Sequence, residues 1–310
     1  MQKFLHEYFY EPKYWQRLLS HALLPISWLY SLIAVFIYER KKKNLIDFNL
    51  PIFGVGNLRL GGSGKTPLCK ALYEYLKVKN IKSFIVLRGY KRQSQGLKLV
   101  YLDEKLLSNY EEAGDEAMEY AYLGANTIVS EDAKLGVKKA IELGARAIIL
   151  DDSFSKSHIK KLNILLEGQG LFYDRCLPSG ALRMPSRYLK EADFLAKENE
   201  SYERKSFIKS PVKGEAVLIS SIANPKRLEQ FFPLAKALYL LNDHEKISKS
   251  FVLEKLAMHN ASVVLCTRKD AVKMQGFGIE LAVIELELRL NESFCVFIDN
   301  YLKGFDAGIK

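Results

Sequence analysis

Cysteine occurs four times in 310 residues, at Cys69, Cys176, Cys266 and Cys295, and never in the close pairs that hold zinc or carry thiol redox chemistry. That spacing argues against a cysteine metal centre and a disulfide scaffold, and points to reduced thiols in a cytoplasmic protein. Internal repeats and low-complexity tracts are also missing, so neither a solenoid nor a disordered chain is indicated. A small-residue cleavage site does not follow the one long apolar stretch, which begins only after a charged lead of 17 residues. A secretory signal peptide is therefore a poor fit, and the segment stays on the protein.

What is present is enough apolar sequence, 48% of the chain, for one large or two ordinary domains with real cores. The net charge of +10 raises nucleic acid as a partner, but a block of it, Arg40-Lys-Lys-Lys43, adjoins the apolar stretch. From Leu18 to Tyr38 there are 21 residues without Asp, Glu, Lys or Arg, and 16 of them are apolar. As a helix this is about 30 Å long, roughly the hydrocarbon thickness of a bilayer. Trp15, Trp28, Tyr30 and Tyr38 suit headgroup depth, and the basic block suits the anionic cytoplasmic side. Pro25, Ser20, Ser27 and Ser31 favour a helix lying in the interface over one that spans, and a buried core helix is the soluble alternative.

The most informative stretch is Gly61-Gly62-Ser63-Gly64-Lys65-Thr66, after the apolar run Pro51 to Gly56 and before a segment with helical apolar spacing from Leu68 to Leu76. A glycine turn of this kind exposes backbone N–H groups to an anion, and the next helix turns its positive end to the same place. Lys65 is then expected to reach the outer phosphates of ATP, and the Thr66 hydroxyl to bind Mg²⁺. Arg59 stands where the full pattern has its first glycine, and Leu60 where one variant class carries lysine. The expected nucleotide contacts are Arg59, Leu60, Gly61, Gly62, Ser63, Gly64, Lys65 and Thr66. An ordinary glycine-rich strand-to-helix turn is the bland alternative.

Further along, the strand-like run Ile81 to Leu87 ends in Arg88-Gly-Tyr-Lys-Arg92, so Arg88 is a candidate phosphate or substrate contact at a strand end. Asp115 and Glu116 open a helix; taken alone, Asp115 reads as a capping residue, and Glu116 is a second candidate contact. The buried-strand pattern Ala145 to Leu150 ends in Asp151-Asp152, as phosphate-loop enzymes place a carboxylate beside magnesium. Asp151 is the expected metal ligand. This alternation predicts an α/β fold of the P-loop NTPase kind: a mostly parallel sheet with helices on both faces. Strand-like runs from Ala216, Ala237, Ser262 and Leu281 around a helix-like Lys249 to Met258 predict a second, smaller α/β domain. The expected division is an N-terminal membrane-associated helix and basic flank over 1–45, a nucleotide domain over 46–213 and the smaller domain over 214–310, joined near the polar stretch 198–213.

A hydrophobic amino-terminal helix, Gly56-Asn57 leading to the glycine turn, Arg88-Gly-Tyr90, Gly114-Asp-Glu116 and Asp151-Asp152 resemble, in order and spacing, the tetraacyldisaccharide 4'-kinases of lipid A synthesis. Leu177 to Pro185, Ala223-Asn-Pro225, Asp243-His244 and Thr267 to Asp270 extend the likeness over nearly the whole chain. Ser153-Phe-Ser-Lys156 departs from the Gly-Phe-Gln-His usual in that family. The resemblance implies a kinase that moves the γ-phosphoryl group of ATP to the 4'-hydroxyl of an acylated glucosamine disaccharide 1-phosphate, giving lipid IVA at the cytoplasmic face of the bacterial inner membrane. It implies Asp115 as the catalytic base with His244 as its partner, beside Lys65, with Asp152 positioning the metal or the loop. A monomer working without nucleic acid is expected. A membrane-tethered NTPase switch is the main alternative. A nucleic-acid-dependent ATPase would need a dispersed basic face with stacking aromatics.

Overall fold

A computed structural model describes residues 2–60, 64–90, 92–167, 171–209, 212–222, 225–242 and 245–306. Three helices come first, α1 (Gln2–Tyr10), α2 (Tyr14–Ala22) and α3 (Leu24–Lys42). Next in the chain are β1 (Ile52–Gly56), α4 (Lys65–Val78), β2 (Ser83–Leu87), β3 (Lys98–Leu102), β4 (Lys105–Leu106), α5 (Tyr110–Ala113) and α6 (Asp115–Tyr122). They are followed by β5 (Thr127–Val129), α7 (Ala133–Glu142), β6 (Ala147–Leu150), β7 (Leu162–Leu166) and β8 (Phe194–Ala196). The remainder holds β9 (Tyr202–Ile208), β10 (Ala216–Ser220), β11 (Ala237–Leu240), α8 (Lys249–Met258), β12 (Val263–Thr267), α9 (Arg268–Lys273), β13 (Glu280–Leu290) and α10 (Glu292–Asp306).

The first sheet has eight strands in the order β4-β3-β5-β2-β6-β1-β7-β8, parallel throughout except where β3 meets β4 and β5. Every residue of β1, β2 and β6 is buried, which is why these strands read as unbroken apolar runs without alternation. α4, α6 and α10 cover one face through Leu68, Leu72, Met118, Phe294 and Ile298, while α7 covers the other through Val137 and Ala140. The second sheet, β11-β10-β12-β13-β9, is parallel but for its β13–β9 edge.

Two expectations change here. The join does not fall after residue 213, because β9 already belongs to the second sheet. Its pairing explains how so polar a segment is a strand: Lys205 faces Glu287 and Glu203 faces Arg289, opposite charges on adjacent strands. The carboxyl-terminal helix α10 also returns to the first sheet, where the Phe294 ring stacks on Phe194 at 4.2 Å and Tyr301 meets Phe53 edge-on. The β9–β13 ribbon thus links two cores, with Tyr202 and Leu288 inside the first.

The charge-free stretch from Leu18 to Tyr38 is not one helix. It is divided between α2 and α3, which meet at a bend of 55°, and no single helix among the described residues is long and apolar enough to cross a membrane. The serines that interrupt the apolar pattern face inward. Ser20 Oγ donates to Ser179 O at 2.7 Å and Ser27 Oγ to Cys176 O at 2.6 Å, so the polar side of the pair clamps the loop 171–184. The large apolar side chains point outward, with Trp28, Leu32 and Phe36 each about two-thirds exposed at 65%, 67% and 64%.

Candidate active site

β2, β6 and β1 are neighbours, and the chain leaves their carboxyl ends at Arg88, Asp151 and Asn57. One edge of the sheet therefore collects residues that lie far apart in sequence. After β1, Gly64 sits at φ +87° as the residue before α4, a conformation that costs glycine little, and it places Lys65 in the first turn. That turn carries no acidic side chain and Gly64 supplies no side-chain cap to the positive end of this 14-residue helix. After β6, Asp152 takes φ +46°, turning its carboxylate back toward α4.

Lys65 Nζ lies 3.4 Å from Asp152 Oδ1 and donates to Asn57 Oδ1 at 3.4 Å. Arg183 forks the same two acceptors, reaching Asp152 Oδ1 at 2.9 Å, Asp152 Oδ2 at 3.1 Å and Asn57 Oδ1 at 2.7 Å. Partial desolvation works against charge on Asp152, but the Arg183 fork and Lys65 outweigh it and hold the carboxyl well below the usual carboxylate range. Arg183 itself is positioned by backbone bonds: its N–H meets Leu58 O at 2.6 Å, and an isolated bridge pairs Arg59 with Leu182.

Asp151 is the opposite of its neighbour. It is buried, accepts the Tyr120 hydroxyl at 2.8 Å, and is pushed up by burial, with Lys65 pulling the other way. Glu116 is pushed up to about 8, first by burial and then by Asp151 and Asp115, with Lys269 and Lys65 opposing. One carboxyl thus lies within electrostatic reach of Asp151, Asp115, Lys269 and Lys65. Asp115 is 5% exposed and accepts the Glu116 N–H at 3.0 Å as the first residue of α6, after Gly114 at φ +84°.

α6 packs on α9 of the second sheet's domain. There Asp270, wholly buried, accepts Ser220 Oγ at 2.9 Å, Ser221 N–H at 3.1 Å and Thr267 Oγ1 at 2.8 Å, and pairs with Lys273 Nζ at 3.5 Å. Lys273 reaches on to Glu245 O at 3.2 Å, and Glu245 Oε2 accepts Asn242 N–H at 2.8 Å. This network reaches Asn242 and Glu245, on either side of residues 243 and 244. Asp243 and His244 lie outside the described residues, as do Gly61, Gly62 and Ser63, so those expected contacts have a frame here but no geometry.

Of the remaining expected residues, Thr66 follows Lys65 in α4, Leu60 bonds through its N–H to Ala181 O at 2.9 Å, and Arg88 is exposed at the end of β2, its charge felt at Lys156. The expectation passed over Arg183, Asn57, Tyr120 and Lys156 as working residues. Lys156 Nζ donates to Asp151 O at 3.2 Å from a half-buried position, in the Ser153 to Lys156 segment that departs from the resembled pattern. Its signal was that departure.

Lys161 gives a pH-dependent consequence. Its stem runs over Gly54, where a Cβ would stand 2.5 Å from Lys161 Cδ, and its amino group donates to Lys156 O at 2.8 Å. Burial, and then Lys156, push it down to about 7. A lysine whose folded pKa lies below its unfolded value costs stability in full below the folded pKa, and the cost is relieved as pH rises toward the unfolded value. Lys161→Met is expected to be stabilised by about 2 kcal/mol at pH 6, with the advantage fading by pH 10. Denaturant melts across that range check it; an advantage that grows with pH contradicts it.

Carboxylates crowded near Asp151 and a threonine hydroxyl at a helix start are oxygen donors of the kind magnesium takes, and that ion fills its other positions with phosphates and water. No group of three His, Cys, Asp or Glu among the described residues forms a closed metal cage. The donor set suits an ion that arrives with phosphate.

A mostly parallel α/β sheet with lysine, arginine and paired aspartates at its carboxyl edge defines the class of α/β proteins that handle phosphorylated ligands at strand ends. The chain matches the family described as Tetraacyldisaccharide-1-P 4'-kinase over residues 19–303, and it belongs to that family. It is 44% identical over 306 residues to a tetraacyldisaccharide 4'-kinase of Campylobacter jejuni subsp. doylei, covering 97% of this chain and 96% of that one. To the protein of the same name from Helicobacter acinonychis it is 37% identical over 313 residues, covering 99% and 97%. A crystal structure of LpxK from Aquifex aeolicus, described as an "apo" form in complex with ATP, superposes with a TM-score of 0.76 at 25% identity, over 93% of this chain and 99% of that one.

Proposed function

We propose that this protein transfers the γ-phosphoryl group of ATP to the 4'-hydroxyl of an acylated glucosamine disaccharide 1-phosphate, giving lipid IVA for lipid A synthesis. The observation that carries the reading is a 370 Å³ cavity lined both by Tyr30, Ile33 and Ile37 of α3 and by Asn57, Asp152 and Arg183. It runs from an apolar helix to the charged cluster beside Lys65, as an acceptor with an acylated body and a sugar hydroxyl requires.

Lys65 binds the outer phosphates at the amino end of α4. Thr66 and Asp151 would hold Mg²⁺, which neutralises phosphate charge when bound. Asp152 and Asn57, fixed by Arg183, orient the Lys65 amino group. Asp115 takes the proton of the attacking hydroxyl, with His244 as its partner. Positioning and charge stabilisation account for most of phosphoryl transfer, so a base and a cationic cradle suffice for this chain's part.

The outward apolar side of α2 and α3, followed by Arg40 to Lys43, supports seating on the cytoplasmic face of the bacterial inner membrane, with the helices in the interface. With radiolabelled ATP, wild type is expected to place label in lipid and not in released phosphate; release alone overturns the kinase reading. Trp28→Glu with Leu32→Glu is expected to reduce sedimentation with anionic vesicles about tenfold or more, with turnover on detergent-dispersed acceptor kept within about twofold. Unchanged sedimentation overturns the seating.

A further inference from the structure

Arg204 comes up to the amino end of α4, and the charge of Arg227 is felt by both Arg204 and Arg59. Arg59 follows β1, Arg204 is on β9, and Arg227 is on the 3-10 helix Pro225–Leu234. Register puts Arg204 opposite Leu288, on the strand face that looks into the first domain's core with Tyr202. It reaches Gly64 itself: a Cβ built on that glycine would stand 2.8 Å from Arg204 Nη2.

The arrangement is electrostatically unfavourable as it stands. Arg204 is only 13% exposed; Tyr202 hydrogen-bonds its side chain, but its buried Nε and Nη2 make no well-aligned hydrogen bond among the described residues. Its acidic neighbour is Glu198, whose Oε1 lies 3.3 Å from Nε and is itself partly in solvent. Burial, and then the Arg227 charge, pull Arg204 below the usual arginine range, and burial does the same to Arg59, with Arg227 adding to it. A cation is also disfavoured at a helix amino end, where the backbone presents positive charge. Like charges held in that place are stabilised by a bound anion.

We propose that Arg204, backed by Arg227 and Arg59, is an arginine clamp on the polyphosphate of the nucleotide at α4, supplied by the ribbon that joins the two sheets. The clamp rests on the phosphoryl-transfer reading above and adds to it a substrate-contacting group from outside the glycine turn and the carboxylate pair. Guanidinium suits the task because its planar fork matches two phosphate oxygens at once and stays charged when buried. An arginine in this position stabilises charge that builds on the phosphates during transfer. Because β9 and β13 belong to both domains, the clamp also ties nucleotide occupancy to how the domains sit on one another.

The test uses the full chain with Arg204→Gln and Arg204→Lys, and Lys65→Ala alongside. Arg204→Gln is expected to lower kcat/KM for ATP about 30-fold or more, with KM for the lipid acceptor within about twofold. Arg204→Lys should recover only a minor part, since it restores charge without the fork. Melting with and without ADP separates a binding role from a structural one: the apo Tm of Arg204→Gln should hold or rise as repulsion is removed, while the ADP-induced rise shrinks. Unchanged ATP kinetics overturn the clamp. So does a loss confined to acceptor KM, which assigns Arg204 to the acceptor's 1-phosphate, and so does a lower apo Tm with an intact ADP shift. Should Lys65→Ala also keep the full ADP shift, the nucleotide is not at α4 and the parent reading falls with the clamp.

Discussion

Asp115→Asn is expected to lower kcat by about three orders of magnitude while KM for ATP stays within about threefold. The side chain is buried at the first position of α6, where its carboxylate accepts the following backbone N–H at 3.0 Å, so one oxygen is committed to holding the group in place. Asparagine keeps that bond through its own carbonyl oxygen and keeps the volume, so the loss measures the missing base and not a disturbed helix. Charge is arranged for the role as well: Asp115 is felt by Lys273 in the second domain and by Glu116 beside it. A base contributes when the acceptor hydroxyl is attacking, so its removal belongs in kcat, whereas ATP contacts sit on α4. Loss of ATP binding equal to the loss of rate would mean that Asp115 supports the architecture and does not take the proton.

Much of this was legible in the chain because central parallel strands advertise themselves. Pro51 to Gly56 and Ala145 to Leu150 are apolar without alternation since both faces are covered, and β1 and β6 fall within two residues of those runs. The helix expected at Lys249 to Met258 is α8, with Ser248 capping it. The failures share a physical cause. β9 hides because its pairing partners, Glu287 for Lys205 and Arg289 for Glu203, lie some 80 positions away, so its charges look like a solvated linker until the register is known. Ser20 and Ser27 read as defects in an apolar segment, yet they are its inward side, bonded to carbonyls of the loop that presents Arg183. Arg183 was visible as part of a quoted motif but had no assigned task, because only tertiary contact brings its fork to Asp152 and Asn57. Motifs name what a loop resembles; they do not say which side chain the fold aims inward.

Lys65→Ala is expected to reduce kcat/KM for ATP by about three orders of magnitude, divided between weaker nucleotide binding and slower transfer. Lys65 Nζ stands 3.4 Å from both Asp152 Oδ1 and Asn57 Oδ1, a spacing that leaves it loosely held and free to donate to a phosphate placed at α4. Arg183 holds the same two acceptors more tightly, so when the lysine is removed Asp152 keeps an ion pair and Asn57 keeps a donor. Asp152 is also half-exposed at 48%, and such pairs contribute about 1 kcal/mol or less to stability. The melting temperature of the variant should therefore stay close to that of wild type while activity collapses, which identifies the lysine as a ligand for phosphate. Lys65→Arg should fail to restore the rate, because a planar fork entering at the first residue of α4 meets the Arg183 guanidinium across the shared carboxylate. Calorimetric titration with ATP, beside steady-state rates at saturating nucleotide, measures both halves of the effect. Full activity in Lys65→Ala would move the phosphates away from the amino end of α4.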